Sequence, residues 1–383
     1  MKKMHFMRDL KNLAIIFTLL LIVASCKKEN DTPDSQAVLK SDMQLIIDSL
    51  YQQSGISTGI IVSIQKPSDN FNFQYAAGYS DIEGTIPITP QDIVCIASNT
   101  KTFVAALILI LKEENKLSLD DKLTAYFDTS FVDSLCVFEN QSYGRDITLK
   151  MLLNHTSGIP DFESIEFINS FLESPYKFRP PLQSIRYAIS NEPATNIPGT
   201  AFHYSNTNYI LLGLIAEMIE GESLHDLLRT HIYIPSGISN AYINGYEVGT
   251  GTLAHGYWLD SLDVCGYNMS WEWACGGIMC RVEEMNLFLV SLLQGKLYKN
   301  ASTLAEMTNF ENGNYALGIV RSNHNNFDFI GHTGGALGYT SVMYYEKNLD
   351  AYFSIACNSN GESDLFVQVL DGLSEKVKAY TRN

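Results

Sequence analysis

Apolar and polar positions alternate in three different ways along this chain. Residues 59–65 and 71–79 are β-branched, apolar and aromatic runs separated by Pro67-Ser68-Asp69-Asn70, and they predict a hairpin. Residues 102–112 are almost wholly apolar with good helix formers, and a helix that is apolar all round must be buried. From about 120 to 295 helical spacing and loops dominate. The clearest case is 209–219, where Leu211, Leu212, Ile215, Met218 and Ile219 recur at helical intervals and Gly221 ends the run. Strand patterns return over 315–320, 327–330, 339–345 and 351–357, and a last helix is predicted over 363–380. Strands at both chain ends around a helical middle predict an α/β (α+β) fold: one antiparallel sheet flanked by helices and completed by both ends of the chain, plus a mainly helical subdomain over about 110–295.

The first 40 residues follow another logic. Lys2, Lys3, Arg8 and Lys11 give a positive start, and residues 13–24 form an apolar run too short for a confident membrane span. The run ends in Val23-Ala24-Ser25-Cys26, which resembles the lipobox of bacterial lipoproteins, in which the cysteine thiol takes a diacylglycerol and the signal is cut before it. Residues 1–25 therefore read as a lipoprotein signal peptide, 26–40 as a flexible polar tether, and 41–383 as the folded domain. The expectation is an exported, membrane-anchored lipoprotein. Lys27 stands where an aspartate would resemble an inner-membrane retention signal, which favours the outer membrane.

Composition narrows the partners. The 383 residues are 46% apolar and 18% charged, ordinary for a globular protein. The net charge of −16 repels phosphate backbones, so nucleic acid is not expected as a partner. Beyond Cys26 lie Cys95, Cys136, Cys265, Cys275, Cys280 and Cys357. Their spacing fits no standard zinc motif and no histidine stands near the 265–280 group in sequence, so no metal or other cofactor is expected; buried thiols or one local disulfide are.

Three motifs carry candidate chemistry. Ser98-Asn99-Thr100-Lys101 heads the apolar helix, where serine and lysine three apart share a face and unpaired N–H groups favour a developing oxyanion. A lysine held in apolar surroundings loses preference for charge and can relay a proton. Tyr204-Ser205-Asn206 precedes the 209–219 helix; a phenol there can exchange a proton with serine if a cation lowers its pKa, while Asn206 can orient a substrate amide or meet the lysine. His332-Thr333-Gly334-Gly335 lies on or beside a late strand, where glycines let substrate approach the backbone.

In order and separation these motifs resemble the serine β-lactamase and penicillin-binding-protein family, in the branch with Tyr-x-Asn that includes class C β-lactamases, D-Ala-D-Ala carboxypeptidases, D-aminopeptidases and esterases. Residues 152–160 (Leu-Leu-Asn-His-Thr-Ser-Gly-Ile-Pro), Ala254-His255-Gly256-Tyr257 and Gly276-Gly277-Ile278 are similar to that family too. The resemblance implies Ser98 as acylated nucleophile, Lys101 and Tyr204 as shared general base, and Tyr204 as acid to the leaving group. It implies Asn206, His332 and Thr333 in substrate binding, and backbone N–H groups of Ser98 and Gly335 as oxyanion hole. His155 reads as structural. His332 replaces the lysine of true β-lactamases; with an ordinary pKa of about 6.5 it would bind a substrate carboxylate only at low pH. The expected activity is hydrolysis of an amide or ester, first a D-amino-acid peptide such as cell-wall material. A carboxylesterase, a weak β-lactamase and a sensing lipoprotein that acylates without turnover remain open.

Overall fold

The computed structural model describes residues 35–310, 313–360 and 363–381. The chain divides into two units, 1–41 and 42–383, and the second contains every strand among the described residues and all three motifs of candidate chemistry. The lipobox, Cys26 and the signal lie outside the described residues. Among the described residues no helix is long and apolar enough to cross a membrane.

Helix α1 spans Ser35–Ser54, so the expected tether ends before residue 35. Leu39, Met43 and Ile47 stand four apart on one buried stripe, which favours helix over a solvated linker. Strands β1 (Gly59–Lys66) and β2 (Phe71–Gly78) form the expected hairpin, turned by Pro67–Asp69. Strand β3 (Ile93–Cys95) leads into α2 (Thr100–Glu113). Shorter helices follow before α3 (Asn206–Glu220), which Gly221 closes in the left-handed conformation at φ 71°. After β4 (Tyr242–Ile243), β5 (Ile278–Arg281) and α4 (Val282–Leu293) come β6 (Val320–His324), β7 (Phe327–Ala336), β8 (Tyr339–Glu346), β9 (Ala351–Cys357) and the terminal helix α5 (Ser363–Thr381).

The main sheet is antiparallel and runs β6-β7-β8-β9-β1-β2, so the two ends of the chain meet where β9 pairs β1, with Ile60 opposite Cys357. All seven residues of β9 are buried, which requires both faces to be covered. Helix α4 is pinned to this centre by a buried polar clip: Asn286 Nδ2 donates to the Ser63 carbonyl at 2.9 Å, and Ser354 Oγ donates to Asn286 Oδ1 at 2.8 Å. A small sheet, β3-β5-β4, stands beside α2. Every residue of α2 from Thr100 to Leu111 is buried, as its unbroken apolar run requires.

Two strand boundaries differ from expectation. Residues 315–319 form a tight turn instead of a strand: Ala316 N–H donates to the Ile319 carbonyl at 2.9 Å and Gly318 takes φ 70°. Strand β7 continues six residues past 330, through the whole His332–Gly335 motif, because β8 supplies a pairing partner as far as Ala336. Among the described residues no disulfide joins these six cysteines, and five of them are buried. Cys265 does have a histidine neighbour: ligand atoms of His255, Asp263 and Cys265 lie within 4.8 Å of one another, because a hairpin at 257–263 folds the two ends of that segment together.

Candidate active site

Ser98 occupies a single turn, Ala97–Asn99, between β3 and α2. Ala97 takes φ 50°, a conformation that costs an L-residue energy unless its surroundings impose it. They do so from three directions. Ile96 N–H donates to the Ile278 carbonyl at 3.0 Å, Ile278 N–H donates to Thr100 Oγ1 at 3.2 Å, and Asn99 Nδ2 donates to Ser341 Oγ at 2.8 Å. On the β7 side, a Cβ at Gly334 would stand 2.4 Å from the Ile96 carbonyl oxygen and 3.0 Å from the Ala97 Cβ. Only glycine lets the strand lie this close. The clamped turn leaves Ser98 half-buried, while Asn99, Thr100 and Lys101 are buried.

Lys101 Nζ meets three acceptors: Ser98 Oγ at 3.0 Å, Asn206 Oδ1 at 2.6 Å and the Cys275 carbonyl at 2.8 Å. Which of these bonds survives deprotonation follows from their chemistry. Asn206 Nδ2 donates to Asp161 Oδ2 at 3.1 Å and Glu163 Oε2 at 2.7 Å, so its carboxamide must present oxygen to the lysine. The Cys275 carbonyl can only accept. A neutral Lys101 therefore spends both its N–H bonds on Asn206 and Cys275 and turns its lone pair to the Ser98 hydroxyl. Burial lowers the Lys101 pKa, partly opposed by the acidic groups of Cys275, Glu163, Asp161 and Glu272 around it. The geometry is that of a general base on the nucleophile.

Tyr204 is hydrogen-bonded to Ser98, and Lys101 Nζ lies 4.9 Å from its ring centroid. The nearby cation does not make it a phenolate. Burial dominates and holds its pKa well above 10, so the phenol keeps its proton at neutral pH. In this protonated state Tyr204 suits the acid that protonates a leaving group, with Lys101 beside Ser98 as base. His155 is fully buried, packs on the Tyr204 ring at 4.3 Å, and accepts the Ser205 backbone N–H on Nδ1 at 3.1 Å. It ties the Tyr204 loop to the 152–160 segment and has the structural place expected of it.

His332 departs from expectation. It is 3% exposed, and burial first, then the charge of Lys101, push its pKa down to about 3. Its Nδ1 lies 2.5 Å from the Thr333 carbonyl and its Nε2 lies 3.1 Å from the Tyr315 hydroxyl. It is neutral throughout the physiological range, which removes the pH-dependent cation expected there. Thr333 and Gly335 alternate with it on β7 and are exposed; a Cβ at Gly335 would meet nothing within 4 Å. Asn206 also differs: every polar atom of its side chain has a protein partner, so it orients Lys101, and a substrate amide would have to displace the Glu163 bond.

Spacing had not revealed Asp161, Glu163, Glu272 or Tyr315. Burial first, then the Asp161 charge, raises Glu163 to about 7. Burial raises Glu272, 5% exposed, to about 8. No single-residue pattern marks an acidic side chain as lying behind a lysine 60 or 170 positions away. Together the residues offer a nucleophile, a desolvated base and a phenolic acid, the set needed to form and resolve an acyl-enzyme.

The family model described as Beta-lactamase matches residues 48–371. Penicillin-binding protein 4* of Bacillus subtilis is 25% identical over 315 residues; the match covers 76% of this chain and 66% of that protein, so the chain spans about two thirds of that relative's length. Among solved structures, a D-amino acid amidase from Ochrobactrum anthropi superposes with a TM-score of 0.76 at 23% identity, covering 90% of this chain and 99% of the other. A D-stereospecific amidohydrolase from a Streptomyces species gives 0.73 at 26% identity, covering 90% and 98%. With the family model spanning most of the chain and the same antiparallel-sheet fold in these structures, this chain belongs to the beta-lactamase family.

Proposed function

We propose that the protein hydrolyses amides of D-amino acids, or short D-peptides, through an acyl-enzyme on Ser98, and selects substrates by a free amine rather than a carboxylate. The observation that carries the reaction is the 3.0 Å contact of buried Lys101 Nζ with Ser98 Oγ. Ser98 Oγ attacks the carbonyl carbon while its proton passes to neutral Lys101. The tetrahedral intermediate collapses as Tyr204 protonates the departing nitrogen and the proton held by Lys101 passes to Tyr204, so both groups regain their starting states. Water then attacks the acyl carbon while giving a proton to Lys101, and that proton returns to the Ser98 oxygen as the acid leaves. Backbone N–H groups of Ser98 and Gly335 serve as the oxyanion hole in this reading.

The choice of substrate rests on charge. His332 is neutral, and among the described residues no arginine or second lysine is hydrogen-bonded to the Ser98–Lys101–Asn206 group. A carboxypeptidase must hold its substrate's terminal carboxylate, and among the described residues no further cation is bonded to this group for that purpose. Asp161 and Glu163, bonded to Asn206, instead favour an ammonium. The D-amino acid amidase and D-stereospecific amidohydrolase among the similar structures support the same class. The test compares D-phenylalanine amide, its L-enantiomer, N-acetyl-D-phenylalanine amide and an acyl-D-Ala-D-Ala peptide. The D-amide should be preferred, and acetylation should lower kcat/KM about fivefold or more, the worth of one partly exposed ion pair of about 1 kcal/mol. Turnover of p-nitrophenyl esters with none of any amide would replace this reading by a carboxylesterase. Stoichiometric acylation without turnover would replace it by a sensor. We also propose attachment to a membrane, the outer membrane first, through lipid on Cys26, which rests on the lipobox sequence.

A further inference from the structure

Tyr315 belongs to none of the sequence motifs. It sits at the tight turn before β6, yet its hydroxyl lies 3.1 Å from His155 Nε2 and 3.1 Å from His332 Nε2. Those histidines come from two different motifs, 177 positions apart, and the chemistry of their outer nitrogens fixes where each proton must be.

His155 Nδ1 faces the Ser205 backbone N–H at 3.1 Å and Asn208 Nδ2 at 3.2 Å. A backbone N–H can only donate. The Asn208 carboxamide is oriented by Ser157 Oγ, which donates to its Oδ1 at 2.7 Å. Nδ1 is therefore an acceptor, and the neutral ring carries its proton on Nε2, aimed at Tyr315. His332 is the mirror case. Its Nδ1 faces the Thr333 carbonyl, which can only accept, so the proton is on Nδ1 and the Nε2 lone pair faces Tyr315. Tyr315 thus accepts from His155 and donates to His332. Protonating His332 would place an N–H against the Tyr315 O–H and break that bond.

We propose that Tyr315 is a positioning residue: by joining the Nε2 proton of His155 to the Nε2 lone pair of His332 it ties the two motifs together, and so holds the Tyr204 ring and the 332–335 strand segment in register with Ser98. The inference rests on the hydrolase reading for its catalytic consequence, but not for the tautomers. Mechanically, the His155 ring supports Tyr204 at 4.3 Å, while His332 stands two residues before Gly334, the glycine packed on the nucleophile turn. Electrostatically, Lys101 stays the cation nearest the nucleophile. The groups facing His332 are Tyr315, Lys101 and the Tyr204 ring at 6.5 Å. Those facing His155 are Tyr315, Tyr204, Tyr209, Lys101, His203 and His332. Tyr209, whose hydroxyl also interacts with that of Tyr315, gives its own proton to the Leu153 carbonyl at 2.9 Å.

The experiment is histidine ¹⁵N NMR on the ¹⁵N-histidine-labelled full chain and on Tyr315→Phe, alongside steady-state kinetics. In the wild type His155 should appear protonated on Nε2 and His332 on Nδ1, and neither should titrate between about pH 5 and 8. In Tyr315→Phe the Nε2 signals of both histidines should shift, as His155 loses its acceptor and His332 its donor, while the Nδ1 signals stay close to wild type. The value of kcat should fall about tenfold at neutral pH, the scale of one buried hydrogen bond, with KM within about twofold. A wild-type His332 protonated on Nε2, or a variant with unchanged Nε2 signals and unchanged kcat, would overturn the proposal. The wild-type spectra decide the tautomers even if the variant does not fold. They also need no turnover, so an inactive protein with the assigned tautomers would sink the hydrolase reading and leave the bridge standing.

Discussion

Gly334→Ala tests how the nucleophile is positioned. An alanine Cβ at this site would stand 2.4 Å from the Ile96 carbonyl oxygen, 2.7 Å from Ser341 Oγ and 3.0 Å from the Ala97 Cβ. Carbon–oxygen contacts settle near about 3.3 Å, so β7 and the Ser98 turn must separate by roughly 0.9 Å. Ala97 is already at φ 50°, and the turn is bonded to Ile278 and Ser341, so it has little room to yield and the strand must move. Overpacking of this kind costs about 1–3 kcal/mol of stability. A displacement near 1 Å between nucleophile and oxyanion donors costs on the order of 10²-fold in rate. The expected result is a folded protein with a lower melting temperature and kcat reduced about 10²-fold, with a smaller change in KM. Gly335→Ala is the control for stability: its Cβ meets nothing within 4 Å, so its melting temperature should stay close to wild type. Both variants can be followed by thermal denaturation and amide hydrolysis. If Gly334→Ala retains wild-type kcat and melting temperature, the close approach of β7 to the Ser98 turn does not position the catalytic groups.

Four further outcomes are expected. Ser98→Ala should fold normally and lose about 10³-fold or more in kcat, and a serine-reactive phosphonate should label wild type at Ser98; near-normal turnover would sink the mechanism. Tyr204→Phe should lower kcat by about 10²–10⁴-fold with little change in KM; a loss under about threefold would return Tyr204 to a packing role. Because burial raises the Glu272 carboxyl to about 8, its contribution to stability is complete below the ordinary carboxylate range and is lost as pH rises through about 8. Denaturation midpoints should therefore fall between about pH 5 and 9 in wild type and fall less in Glu272→Gln; equal slopes would show that Glu272 does not titrate there. Cys26→Ser should move the protein from the detergent phase to the aqueous phase or leave its signal uncleaved, and unchanged partitioning would contradict lipid attachment.

Local pattern determined a good deal by itself. The β1–β2 hairpin, the buried α2, the α3 helix ended by Gly221 and the apolar strand runs of β8 and β9 depend on residues within a few positions of one another, and periodicity and turn chemistry report such interactions directly. The motifs located Ser98, Lys101 and Tyr204 for the same reason: each lies at the head of a helix or in the loop before one. Tertiary structure decided where protons and charges reside. Tyr204 stays a phenol, His332 stays neutral and Asn206 turns its oxygen to Lys101 because of burial and of partners at Asp161, Glu163, Cys275 and Tyr315 that no local window contains. The turn at 315–319 and the extension of β7 to Ala336 likewise depend on pairing with distant segments. A pKa and a hydrogen-bond direction are properties of everything within a few ångströms of an atom, and in a folded chain most of those neighbours are remote in sequence.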